Sequence, residues 1–176
     1  MLTRAAEKGS MTKDDAVGAV NRIRIVGAPS DMAACHAIIE VIVENLEAKQ
    51  KLFAELEGIV APDCILATNT SSLSVTTIAS RMKTPQRFGG FHFFNPVPLM
   101  KLVEVIDGLQ TESWVGDALM QLGRRMTREP VRLKDAPGFL VNQVGRGFTL
   151  EGSHLVHEGV AAFADVDRVI DRKSVV

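Results

Sequence analysis

The chain has 176 residues, a length that suits one domain or one domain and part of another. Hydrophobic residues make up 46% of it and its net charge is −1 without long charged runs, so no nucleic-acid or membrane-surface partner is expected. The two cysteines lack CxxC spacing, and no apolar run is long enough for a signal core or a membrane span. We therefore expect reduced thiols, no metal site and a cytoplasmic protein.

The first 21 residues predict two helices separated at Gly9, the second capped by Thr12 and carrying two aspartates in its first turn. Two segments rich in β-branched residues follow, RIRIVGA at 22–28 and HAIIEVIVEN at 36–45, and this composition favours strands. The second segment is too continuously apolar for a strand with one wet face. We therefore expect it in the centre of a sheet.

A helix is predicted from Leu46 to about Gly58, followed by a strand at CILATNTSS. Strand, helix and strand in this order predict parallel pairing through a right-handed crossover. Farther along, the patterns predict strands at RFGGFHFF, KLVEVID and PVRLKD, and helices over 75–82, over 112–126 and after Pro137. The alternation predicts an α/β doubly wound, Rossmann-like sheet that passes into a helical element.

Polar side chains follow three of the predicted strands where each strand ends: Glu44 and Asn45, Asn69 to Ser72, and His92 to Asn95. Ligands of such sheets bind beyond the carboxyl ends of the parallel strands, so a binding site is expected there. The segment NTSS also fits the N-cap of a helix that begins in LSVTTIASRM. One loop can serve both purposes.

The histidine and the glutamate in FHFFNPVPLMKLVEV are predicted to face each other. His92 and Glu104 are 12 residues apart with Pro98 midway, and the connection from Asn95 to Met100 is too short for a crossover helix. A buried carboxylate bonded to one ring nitrogen leaves the other nitrogen to accept a proton from an alcohol. The same residues also fit a structural histidine bonded to a carbonyl and a glutamate paired with a cation.

The stretches VENLEAKQKLFAELE, ILATNTSSLSV, RFGGFHFFNPVPLMKLVEV and DAPGFLVNQ cover most of residues 37–143. In order and spacing the chain resembles the L-3-hydroxyacyl-CoA dehydrogenases of fatty-acid β-oxidation and 3-hydroxybutyryl-CoA metabolism. The resemblance implies NAD-dependent oxidation of an L-3-hydroxyacyl-CoA to the 3-ketoacyl-CoA, by a stand-alone enzyme or by part of a multifunctional protein. Reductases of sugar acids share the sheet, but the HFFNP stretch with its glutamate does not suit them.

The resemblance also implies roles for individual residues. His92 is implied as the catalytic base and Glu104 as the acid that orients it, while Ser71 and Asn142 bind the reacting substrate. The residues implied at the nicotinamide end of the NAD site are Glu44, Lys49, Ser71 and Asn95. The full-length form is expected to be a homodimer.

The chain departs from the family pattern in one respect that bears on function. The family begins with a strand and G-x-G-x-x-G, which cradles the pyrophosphate of NAD, and this motif is absent from the sequence. The nearest pattern, Gly145-Arg146-Gly147, lies in a helical stretch and is interpreted as a helix-packing or kink site.

We interpret the chain as a truncated form that lacks the first βαβ portion of the sheet. Residues 1–134 are then a partial NAD-binding domain, and residues 135–176 begin a helical C-terminal domain. Such a chain is expected to bind NAD weakly and to be poorly active. The alternative is a noncatalytic acyl-CoA-binding or structural, oligomerising module.

Overall fold

The computed structural model describes residues 6, 7, 9 and 11–171, and the chain divides into two compact units between Ala34 and Cys35. In the first unit, helix α1 (Lys13–Asn21) begins after Thr12, whose hydroxyl accepts a hydrogen bond from the Asp15 amide at 3.0 Å. This confirms the second predicted helix and its cap. The first predicted helix falls largely on residues outside the described ones.

The prediction of a strand at RIRIVGA is wrong. Residues 22–28 form no strand, and the Ile25 side chain is 94% exposed. A strand is stable only when a neighbouring strand takes up its backbone N–H and C=O groups, and the described part of this unit offers no such neighbour. A 3-10 turn, Pro29–Met32, follows this segment.

The second unit alternates strands and helices around one five-stranded sheet. In chain order the elements are β1 (Ala37–Glu40), α2 (Leu46–Leu56), β2 (Ile65–Thr68), α3 (Val75–Ala79), β3 (Phe88–Phe93), β4 (Leu102–Asp107), α4 (Ser113–Arg125), β5 (Glu129–Lys134), α5 (Val141–His157) and α6 (Phe163–Asp171). Strands β1, β2 and β3 are parallel, β4 is antiparallel to β3, and β5 is parallel to β4. This mixed sheet with its helices confirms the predicted α/β architecture.

Strand β1 lies at the edge of the described sheet rather than at its predicted centre. It is also shorter than the apolar run, because Val41, Ile42 and Val43 follow its last residue and are exposed. A continuous apolar run shows that both faces of a segment avoid water, but it does not show how many neighbours the segment pairs with. The expected central position therefore needed a partner strand that the described residues do not supply.

One part of the core lies between the sheet and helix α4, and fully buried residues of α2 and α3, such as Phe53 and Ile78, belong to a further part. Phe91 of β3 and Val103 and Val105 of β4 pack with Val115 and Leu119 of α4. These residues alternate along each strand, so their neighbours project to the opposite face of the sheet. That opposite face carries the polar site.

Two local predictions are corrected by the helices. Helix α3 is capped by Ser74, whose hydroxyl accepts from the Thr77 amide at 3.1 Å, so NTSS is not the cap; the helix ends at Ala79, before the predicted residue 82. A Cβ added at Gly145 or Gly147 would meet nothing within 4 Å in the part of the chain that the structure describes, so α5 packs against none of these residues at the two glycines. None of the helices in the described ranges is long and apolar enough to cross a membrane.

Gly90 lies in β3 where the sheet leaves no room for a side chain, since an added Cβ would lie 2.8 Å from the Cβ of Ile106. We expect Gly90→Ala to lower the free energy of unfolding by about 1–3 kcal/mol through overpacking, measured by urea denaturation. Gly145→Ala is the matched control, because its open surroundings and helical position predict a neutral or slightly stabilising effect. Equal loss in both variants would contradict the close approach.

Candidate active site

The His92–Glu104 pair predicted from the hairpin is confirmed. The two residues are direct partners in the β3–β4 register, and His92 Nδ1 lies 2.7 Å from Glu104 Oε2. Both side chains are buried, on the sheet face opposite Phe91 and Val105. A hydrogen-bonded pair of this kind fixes the rotation of the imidazole ring.

Glu104 also binds the start of helix α5. Its Oε1 accepts hydrogen bonds from the amides of Leu140 at 3.0 Å and Val141 at 2.9 Å. A carboxylate with these donors acts as an acceptor, so we assign the proton of the neutral ring to Nδ1 of His92. Nε2 is then left as the acceptor nitrogen.

Ser71 lies at this acceptor nitrogen. Its Oγ is 3.1 Å from His92 Nε2, so its hydroxyl donates to the ring. The Ser71 side chain reaches this position from the exposed loop that follows β2, and Asn69 of the same loop accepts a hydrogen bond from the Phe93 amide at 2.8 Å. The loop is therefore tied to the end of β3 at His92 and at Phe93.

Glu44 holds the Ser71 loop from the other side. Its Oε1 accepts from the amides of Ser71 at 3.1 Å and Ser72 at 3.3 Å, and from the Thr70 hydroxyl. Burial alone would raise the pKa of Glu44, but these hydrogen bonds and the ammonium of Lys49 outweigh it and hold the pKa below its usual value. Glu44 is thus an anion that remains 39% exposed at the mouth of the site.

Lys49 lies deeper than the resemblance implies. Its side chain is 1% exposed, and Nζ lies 2.6 Å from Glu40 Oε1 and 3.3 Å from Glu44 Oε2. The structure therefore places its ammonium beneath Glu44. A direct contact between Lys49 and the cofactor stays a prediction.

Asn95 and Asn142 complete the predicted set. Asn95 is exposed just beyond β3, and Asn142 is half-buried as the second residue of α5, next to Val141. Neither side chain makes a hydrogen bond within the described chain. Their roles stay predictions.

Two contributors to the site were missed in the sequence. Phe139, in the DAPGF stretch, is buried with its ring centroid 5.6 Å from that of His92, and Glu40 ends β1 beneath Lys49. The signal for Glu40 was a carboxylate at the end of an apolar strand. Phe139 gave no signal beyond the stretch itself, because its approach to His92 depends on a loop with positive φ at Gly138 and Phe139.

The geometry defines a buried histidine–glutamate pair at the carboxyl edge of a Rossmann-like sheet, where the ligands of such sheets bind. Residues 1–136 match the family described as 3-hydroxyacyl-CoA dehydrogenase, NAD binding domain. The chain therefore belongs to the 3-hydroxyacyl-CoA dehydrogenase family. The NAD binding that defines this domain agrees with the expected cofactor.

Individual relatives agree with this assignment. A probable 3-hydroxybutyryl-CoA dehydrogenase of Bacillus subtilis is 42% identical, with 96% of this chain and 59% of that protein covered. A 3-hydroxyadipyl-CoA dehydrogenase of Escherichia coli is 39% identical, and the match covers 96% of this chain and 36% of that protein. The crystal structure of (S)-3-hydroxybutyryl-CoA dehydrogenase from Ralstonia eutropha superposes with a TM-score of 0.90 at 36% identity, with 97% and 60% covered. The chain thus spans between about a third and three fifths of the length of these relatives.

Asp135 ties the loop before α5 to the start of α3. Its Oδ2 accepts hydrogen bonds from the Ser74 hydroxyl at 2.7 Å and the Thr76 amide at 2.8 Å. Burial alone would raise the pKa of Asp135, but these donors hold the pKa below its usual value. A carboxyl whose pKa is lower in the folded state stabilises the fold above its unfolded pKa, and this stabilisation is lost as the pH falls through the folded value.

We therefore expect Asp135→Asn to destabilise the protein most at neutral pH. The difference from the wild type should shrink once the pH falls below about 4, the ordinary range of an aspartate, as urea titrations across the acid range would measure. Asp63→Asn is the control, since this exposed carboxyl has no hydrogen-bond or salt-bridge partner among the described residues. A difference that stays constant with pH would show that the charge of Asp135 is not involved.

Proposed function

We propose that the site oxidises an L-3-hydroxyacyl-CoA to the 3-ketoacyl-CoA, with NAD as the acceptor. The observation that carries this proposal is the His92 ring, whose Nδ1 lies 2.7 Å from Glu104 Oε2 and whose Nε2 has only the exposed Ser71 hydroxyl as a partner in the described chain. An acceptor nitrogen in this position can receive a proton from an alcohol. Family membership and the names of the relatives support the substrate class.

The residues around His92 fit the nicotinamide end of NAD. Glu44, Ser71 and Asn95 present exposed polar groups, and the apolar residues 41–43 are exposed at the same edge of the sheet, where a flat ring can pack. We propose that these residues hold the cofactor, with Lys49 acting through Glu44. When bound, NAD accepts a hydride.

Residues of the chain accept the proton that the substrate hydroxyl loses. Oxidation removes a hydride from C3 of the substrate and a proton from its hydroxyl, leaving a ketone. In the proposed step, His92 Nε2 takes this proton, and the Glu104 carboxylate stabilises the imidazolium that forms. Once the substrate hydroxyl replaces Ser71 at Nε2, the Ser71 hydroxyl is free to donate to the substrate oxygen, and Asn142 lies on the helix that Glu104 anchors.

The alternative is a noncatalytic acyl-CoA-binding or oligomerising module. It is favoured by large apolar side chains that α5 and α6 leave exposed, among them Phe148, Phe163 and Val169. The same surfaces support our proposal that the protein associates as a homodimer. A cytoplasmic location without a nucleic-acid partner is proposed from the balanced charge and the two free cysteines.

Substitutions of His92 and Glu104 distinguish an enzyme from a noncatalytic acyl-CoA-binding module. His92→Gln cannot accept the proton as an imidazole does, and Glu104→Gln removes the charge that stabilises imidazolium. Turnover of 3-hydroxybutyryl-CoA should fall about 10²- to 10⁴-fold in either variant, with KM changing much less, as NADH formation would show. The double variant should be little worse than the slower single one, because the pair acts as a unit.

The assay uses saturating NAD and acyl-CoA substrate in excess over the chain. His154→Gln, an exposed histidine on α5, is the matched control and should keep wild-type turnover. If the wild type formed no more NADH than His92→Gln while calorimetry showed acyl-CoA binding, the noncatalytic module would be the correct function.

A further inference from the structure

Glu40 is a buried carboxylate that the proposed mechanism does not use. It is 3% exposed at the end of β1. Its Oε1 accepts from the Lys49 ammonium and the Ile42 amide, each at 2.6 Å, and its Oε2 accepts from the Thr68 hydroxyl at 2.7 Å. Both carboxylate oxygens are thus occupied by hydrogen bonds to groups within the fold.

Stability alone is a poor explanation for the Glu40–Lys49 pair. Removing two charges from water costs about as much as their attraction returns, and apolar residues of similar volume often serve a fold equally well. What a buried ion pair does supply is a fixed geometry, because each charge has few alternative partners away from water. Lys49 also contacts Glu44, and this second contact shows which part of the site the fixed geometry controls.

Lys49 is shared between two carboxylates. Its Nζ lies 3.3 Å from Glu44 Oε2, while the other oxygen of Glu44 holds the amides of Ser71 and Ser72. The rotation of the Glu44 carboxylate is therefore set by the ammonium on one side and by the loop on the other. Because Ser71 Oγ lies 3.1 Å from His92 Nε2, a shift of the Glu44 carboxylate moves the loop that carries this contact.

We propose that Glu40 is a positioning residue of the active site. It holds Lys49 at the distance that orients Glu44, and Glu44 in turn holds the Ser71 hydroxyl at the base. Without Glu40, the ammonium is left with Glu44 as its one anionic partner in the described chain, and it competes with the loop amides for that carboxylate. The catalytic meaning of this arrangement rests on the proposed function, whereas the arrangement itself can be tested without turnover.

The test measures the ¹⁵N resonance of His92 Nε2, which reports whether the Ser71 hydroxyl donates to the ring. The chain is compared as wild type, Ser71→Ala, Glu40→Gln and the control Glu47→Gln, an exposed glutamate in the first turn of α2. The Glu40→Gln resonance should move most of the way to that of Ser71→Ala, and the Glu47→Gln resonance should stay at the wild-type position. A wild-type resonance in folded Glu40→Gln would overturn the proposal.

A lone buried ammonium could prevent Glu40→Gln from folding, so the double variant Glu40→Gln, Lys49→Met, which leaves no unpaired charge, is measured as well. The sheet amides of Phe91 and Val105 report its folding. This variant also removes the ammonium from Glu44 and should give the Ser71→Ala resonance, and a wild-type resonance would again overturn the inference. If the resonance moved as expected while the wild type formed no more NADH than His92→Gln, the proposed function would fail and the positioning role would stand.

Discussion

The rest of the site depends on the carboxylate of Glu104. One of its oxygens faces the imidazole of His92, and the other accepts from the first amides of helix α5. A single buried group therefore fixes the direction of the base and the position of the helix that carries Asn142. Because it sits directly opposite His92 in the sheet, a slip of one residue in the register would send it to the apolar face and disconnect both.

The parts of the site that the sequence made predictable are those encoded over a short distance. The facing of His92 and Glu104 follows from a turn too short for a crossover, and the parallel pairing of β1 with β2 follows from the helix between them. Thr12 likewise caps α1 because a cap is a contact between residues three apart. In each case the contact joins residues or strands that are close in sequence, so the local sequence determines it.

The features that could not be predicted depend on distant partners. RIRIVGA has the composition of a strand but has no strand beside it among the described residues, and β1 lies at an edge that its apolar run does not reveal. Lys49 has the position of a ligand contact, yet its ammonium lies against Glu40, nine residues away in sequence and on another element. Side-chain chemistry identified these segments, but only tertiary packing decides which group each charge meets.

The two buried glutamates of this unit differ in how their charge is balanced. Glu40 faces the ammonium of Lys49 at 2.6 Å, so its charge has a counter-charge within the fold. Glu104 faces backbone amides and an imidazole that is neutral in the assigned tautomer, so a full positive charge reaches it only when His92 takes up a proton. A preorganised anion stabilises most strongly the state in which its counter-charge develops. The fold therefore keeps an uncompensated carboxylate at the one place where the proposed reaction creates a cation, and a compensated one where only geometry is required.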